Sequence, residues 1–177
     1  MAEQPQKIDF RPQLGFQEKF LSSPADVIIG GGAAGSGKTY ALLMDLVRYL
    51  DVKNFGAVIF RRTTPQIRNE GALWDTSATI YPYLQGEPKE STLEWVFTKN
   101  GKKAAVKFTH LEHEKNVFDH QGAQYPFIGF DELTHFTKKQ FFYLLTRNRS
   151  ICGVPPCVRA TCNPDPDSWV ADFISWW

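Results

Sequence analysis

The sequence predicts an α/β fold: a central, mainly parallel sheet flanked by helices, with an antiparallel hairpin added to it. Short apolar runs alternate with amphipathic helical stretches, the order found in parallel-sheet proteins. One run, Phe127-Ile128-Gly129-Phe130, is apolar throughout, as befits a strand covered on both faces. Two extended segments, Leu93 to Thr98 and Ala104 to Thr109, flank Lys99-Asn100-Gly101-Lys102, and Asn-Gly between strands marks a hairpin turn.

The elements follow in order. Residues 1–13 are polar and predict a flexible segment, and residues 14–177 predict one domain. Leu14 to Leu21 reads as a helix stopped by Ser22-Ser23-Pro24. Val27-Ile28-Ile29 is a strand running into glycines, and Gly37 to Leu50 is helical with an apolar face. Ala57 to Phe60 is a second strand ending at Arg61-Arg62. Thr64 then reads as an N-cap before Pro65, opening a helix interrupted near Gly71 and ending at Tyr81-Pro82. Thr137 caps a helix carrying Phe141, Phe142, Leu144 and Leu145. Val158 to Thr161 is a strand, and a further helix starts at Asp167. The closing Phe173-Ile174-Ser175-Trp176-Trp177 is apolar for an exposed terminus, which favours a fragment of a longer protein.

Composition narrows the function classes. Hydrophobic residues make up 42% and charged residues 22% of 177 residues, as in an ordinary globular domain. A net charge of +1 excludes a strong chain-wide field for nucleic acid. The N-terminus has no apolar leader pattern, and no run reaches the ~20 apolar residues of a membrane helix, so a soluble intracellular protein without a membrane partner is expected. The odd cysteine count (Cys152, Cys157, Cys162) fits reduced thiols.

The chemistry begins at Gly32-Ala33-Ala34-Gly35-Ser36-Gly37-Lys38-Thr39, which matches G-x-x-x-x-G-K-[ST]. Glycines let a backbone wrap phosphate oxygens, and the following helix points its N–H groups at the same anion. Lys38 reaches the β- and γ-phosphates of ATP, and Thr39 offers its hydroxyl to Mg²⁺. The required context, a strand before and a helix after, is present. A second motif ends the apolar run with Asp131-Glu132. Strand C-termini are where open α/β sheets bind ligands. Asp131 there is a Mg²⁺ ligand, through water, and Glu132 a general base.

Weaker signals surround these. Thr161-Cys162-Asn163-Pro164 follows a strand, and Thr161 and Asn163 are candidates to meet the γ-phosphate or the attacking water; the alternative is a plain Asn-Pro turn. Gln17 is a candidate reader of the adenine edge with Phe16 stacked on the ring, or else a surface Gln beside a core Phe. Arg61, Arg62, Arg68, Arg147, Arg149 and Arg159 are candidate arginine fingers. Arg61 and Arg62 lead because they end a strand on the ligand side. The lysines at the hairpin read as a solvated turn.

Taken together, the sequence resembles the N-terminal ATPase domain of the large terminase subunit of tailed bacteriophages and prophages. The resemblance rests on Gly31 to Thr39, Phe60-Arg61-Arg62-Thr63, Gln121 to Thr134 and Thr161-Cys162-Asn163-Pro164. It implies an ASCE-type P-loop NTPase fold and an ATP-driven motor that moves double-stranded DNA into a procapsid. It implies a homo-oligomeric ring at the portal protein, commonly of five subunits, with the small terminase subunit as partner, in the bacterial host cytoplasm. An isolated domain is then expected to be monomeric. Thr161 to Asn163 resembles the family's coupling motif and Gln17 its adenine-reading residue. Relatives often carry Arg-Gly before the second motif, where this chain has Gln121-Gly122, so the finger falls to Arg61 or Arg62. The family's C-terminal nuclease domain has no counterpart in these residues, and no nuclease activity is expected. Other readings are a helicase core, a nucleotide-binding switch that does not turn over, and a small-molecule kinase.

Overall fold

The structure, a computed structural model, describes residues 10–175. Most of the expected N-terminal segment, and Trp176 and Trp177, lie outside the described residues. The strands are β1 (Val27–Gly31), β2 (Gly56–Arg61), β3 (Gly86–Lys89), β4 (Glu94–Lys99), β5 (Lys102–His110), β6 (Phe127–Phe130) and β7 (Cys157–Cys162). They form one seven-stranded sheet in the order β1-β7-β6-β2-β5-β4-β3. From β1 across to β5 every pairing is parallel, and β4 and β3 add antiparallel. The α/β sheet expected from the alternating pattern is therefore present.

The hairpin turn is built as Asn-Gly chemistry dictates. Asn100 and Gly101 both have positive φ, 51° and 72°, which suits the twist of the flanking strands. The hairpin is not a separate attachment, because β5 is itself the parallel neighbour of β2. Strand β3 has no clear signal in the sequence. It is short, mostly exposed and contains Pro88, which an edge strand tolerates because no ladder donor is needed there.

The helices are α1 (Phe16–Ser22), α2 (Lys38–Asp45), α3 (Pro65–Arg68), α4 (Leu73–Ala78), α5 (Lys138–Leu145) and α6 (Trp169–Ile174). Helix α2 tightens into a 3₁₀ turn over Leu46–Tyr49. The break between α3 and α4 contains Gly71, with φ +71°. Thr64 does not cap α3: its backbone is already helical, and its hydroxyl meets His110 Nδ1 at 3.0 Å. Thr137 does cap α5, in a reciprocal box with Gln140. Phe173, from the apolar terminal run, packs against Phe141 and Phe142.

Because side chains alternate along a strand, successive residues feed two cores. Ile59 joins Leu42, Leu43, Tyr81, Trp95 and Phe108 on one face. Val58 and Phe60 join Phe130, Phe141 and Leu144 on the other. Each such side chain is worth about 1.5–3 kcal/mol of burial. A buried ion pair, Arg159 Nε to Asp45 Oδ2 at 2.7 Å, ties β7 to the end of α2. Arg159 also donates to the carbonyls of Ala25, Asp26 and Val158, so its charge is fully engaged.

Candidate active site

The parallel pairing brings the C-terminal ends of β1, β7, β6 and β2 to one edge. Gly30 lies beside Thr161, Phe130 beside Ala160, and Phe60 beside Phe130. The next residues in each strand, Gly31-Gly32, Cys162-Asn163, Asp131-Glu132 and Arg61, therefore converge. The site is a product of strand order: Lys38 and Asn163, hydrogen-bonded within it, lie 125 positions apart.

The loop between β1 and α2 curls over this edge. Gly35 and Gly37 have φ of +78° and +72°. At Gly37 a side chain is barred twice, because a Cβ would also lie 2.2 Å from Gln17 Nε2. Lys38 is 6% exposed and its ammonium turns back into the loop. It donates to Gly32 O at 2.8 Å, to Ala33 O at 2.9 Å and to Asn163 Oδ1 at 2.9 Å. These bonds match the three protons it carries. Ser36 Oγ is buried without a hydrogen-bond partner.

Asp131 is fully buried. Thr39 Oγ1 donates to its Oδ1 at 3.1 Å and Thr161 Oγ1 to the same oxygen at 2.9 Å. Arg61 Nε lies 2.9 Å from Oδ2, an ion pair in which that N–H is not aligned as a hydrogen bond. Burial pushes the Asp131 carboxyl above its ordinary value, while Arg61 and the Thr161 and Thr39 hydroxyls pull it back. Glu132 adopts the left-handed region, φ 64° and ψ 67°, which is costly for a non-glycine residue and recurs at functional sites. Its N–H donates to Thr161 Oγ1 at 3.3 Å. Its carboxylate accepts Asn163 N at 3.0 Å on Oε2 and Asn163 Nδ2 at 3.2 Å on Oε1.

The structure thus gathers Lys38, Thr39, Arg61, Asp131, Glu132, Thr161 and Asn163. It does not bring Arg62 to them. Arg62 lies just past the end of β2 and donates to Leu111 O and Gln140 Oε1. Of the other arginines considered, Arg159 is committed to Asp45, Arg68 donates to Glu90 O and Arg147 lies over Tyr143. Gln17 is 4% exposed, donates to Gly37 O and accepts Gln13 N. It lines a cavity of about 370 Å³ with Phe10, Arg11, Gln13 and Tyr40, beside Gly35 and Gly37. Phe16 is stacked on Phe20 and does not line it. Tyr40 and Phe10 are the aromatics there, a placement that sequence spacing does not signal.

A glycine-lined loop between a strand and a helix, with a buried lysine and an acidic pair on a nearby strand end, defines a P-loop NTPase fold. The family described as "Terminase large subunit, T4likevirus-type, N-terminal" matches residues 29–177, and the chain belongs to it. No functionally curated protein matches it in sequence. Among solved structures, it resembles the large terminase of a thermophilic bacteriophage, with 19% identity and a TM-score of 0.72 over 93% of this chain and 43% of that one. That large terminase has also been determined with ADP and with ATP-gamma-S. The Thermus phage P74-26 large terminase ATPase domain aligns with 16% identity and a TM-score of 0.62, over 93% of this chain and 69% of that one. The bacteriophage HK97 large terminase aligns with 14% identity and a TM-score of 0.67, over 97% of this chain and 37% of that one. The chain spans less than half the length of the first and the last of these three proteins.

Proposed function

We propose that this chain is an ATP-hydrolysing domain, over residues 14–177, of a motor that drives double-stranded viral DNA into a procapsid. The observation that carries the reading is the meeting of Lys38, Asp131 and Glu132 at one sheet edge, joined through Asn163 and Thr39. Family membership and the nucleotide complexes of the thermophilic-phage large terminase support it.

In this reading the backbone from Gly32 to Gly37 cradles the phosphates, and Lys38 exchanges its loop carbonyls for phosphate oxygens. The unpaired Ser36 Oγ fits such an anion. Thr39 Oγ1 and the Asp131 carboxylate offer oxygen donors already side by side, the hard ligands that Mg²⁺ selects. When bound, Mg²⁺ neutralises phosphate charge. Glu132 takes a proton from the attacking water, and Asn163 holds its carboxylate in place. Thr161 fixes both acids, donating to one and accepting from the backbone of the other. Arg61, close to Asp131, offsets charge on the transferred phosphoryl group. Gln17 reads the adenine from within the cavity it lines.

With a net charge of +1, grip on DNA belongs to the assembly: a homo-oligomeric ring at the portal, with the small terminase subunit, in the host cytoplasm. The test is steady-state ATPase of the wild type against Glu132→Gln. Loss of a positioned general base costs about 10²–10⁴-fold in rate while ATP still binds. Equal background rates in both, with ATP bound, make the protein a nucleotide switch instead. Single-strand stimulation with unwinding makes it a helicase core.

A further inference from the structure

Two cavities meet at the phosphate loop. One, of about 380 Å³, is lined by Lys38, Thr39, Glu132 and Asn163. The other, of about 370 Å³, is lined by Phe10, Arg11, Gln13 and Gln17. Gly35, Gly37 and Tyr40 line both. The first gathers the ammonium, the hydroxyl and the acid that phosphate chemistry needs. The second has no acid in its wall and offers rings and amides instead.

Helix geometry puts Tyr40 at the junction. Lys38, Thr39 and Tyr40 are the first three residues of α2, and successive helical residues fan out by about 100°. Lys38 turns to Asn163 and Thr39 to Asp131, which leaves Tyr40 the sector beside Gln17. Helical side chains lean towards the N-terminus, here towards Gly35 and Gly37. Part of Tyr40 packs on the core, and the rest is accessible. Among the described residues, no aromatic ring packs on it and its hydroxyl has no hydrogen-bond partner. The other rings nearby are engaged: Phe16 is stacked on Phe20, and Phe10 rests against Tyr83. The chemistry of the open ring selects its ligand. The face of an aromatic ring is negative and gains nothing from a polyphosphate, whereas a heterocyclic base stacks on it.

We propose that Tyr40 is the platform on which the nucleobase stacks, and that it gives the site a preference for purine over pyrimidine triphosphates. The inference deepens the ATPase reading above and rests on it. The triphosphate lies along Lys38 and Thr39, and the base passes Tyr40 into the cavity beside Gln17. Every base has a face to stack, but a purine brings two fused rings to the contact and a pyrimidine one. Gln17 meets an edge of the base, whereas Tyr40 holds its face.

The test compares wild type, Tyr40→Phe, Tyr40→Leu and Glu132→Gln. It reads equilibrium affinities for ATP, UTP and inorganic triphosphate with Mg²⁺, and steady-state turnover of the wild type and Glu132→Gln. Tyr40→Leu keeps an apolar side chain on the core but loses the ring, so its affinity for ATP falls by roughly 10–100-fold. Its affinity for UTP falls less, and that for inorganic triphosphate, which has no base, stays within about twofold. Tyr40→Phe keeps the ring and binds ATP within about threefold of wild type. Unchanged ATP affinity in Tyr40→Leu overturns the proposal. So does an equal loss for ATP and UTP, an equal loss for ATP and inorganic triphosphate, or a loss in Tyr40→Phe as large as in Tyr40→Leu. A wild type that turns over no faster than Glu132→Gln overturns the ATPase reading alone, because the affinities still decide the role of Tyr40.

Discussion

Asn163 grips both oxygens of Glu132, with its backbone N–H on Oε2 at 3.0 Å and its amide Nδ2 on Oε1 at 3.2 Å. The same amide accepts Lys38 through its own oxygen. One side chain thus spans the phosphate loop and the acidic pair. Asn163→Ala frees Lys38 and Glu132 Oε1 and leaves only the backbone N–H on Oε2. Misplacing a reacting group by about 1 Å costs on the order of 10²-fold in rate. We expect single-turnover hydrolysis to fall by that order in Asn163→Ala, with the fold intact because the residue is exposed. An unchanged rate constant rules out the positioning role.

Arg61 and Arg62 are adjacent and are expected to fail differently. Arg61 pairs with Asp131, whereas Arg62 supports the Leu111 and Gln140 cluster. Arg62→Ala removes structural hydrogen bonds, and losing one such bond from a charged donor costs about 1.5–3 kcal/mol. At about 2–4 °C per kcal/mol for a domain of this size, its melting temperature drops by several degrees, with turnover per folded molecule preserved. Arg61→Ala lowers turnover per folded molecule. Thermal melts and active-site-normalised rates decide the matter, and the reverse pattern refutes the assignment.

Asp131 makes stability depend on pH in an unusual direction for a carboxylate. Its folded pKa is raised, chiefly by burial, above the ordinary 3.8. The native state therefore holds the proton more tightly than the unfolded chain. The resulting stabilisation is full below the ordinary value and is lost as pH rises through the raised one. Asp131→Asn has no such loss. Its melting temperature minus that of wild type should become more positive from about pH 4 towards neutrality. A difference that stays flat or falls refutes the linkage.

Much of the fold is legible because its signals are local. Asn100-Gly101 sets a turn whatever the sheet does with it, and Thr137 with Gln140 caps α5 across three residues. Thr64 misleads, because a residue that looks like a cap is drawn away by His110, 46 positions along. Strand β3 is silent because an exposed edge asks little of its residues.

By itself, the sequence determined the phosphate loop, the strand before it, the helix after it and the acidic strand end. Each is a contiguous motif whose shape follows from glycine freedom, helix N–H groups and a run of apolar residues. Tertiary structure decided which arginine faces the acids and that Asn163 joins Lys38 to Glu132. Those outcomes depend on strand order and on which side of the sheet a residue faces, and both are settled only when separate segments pack together.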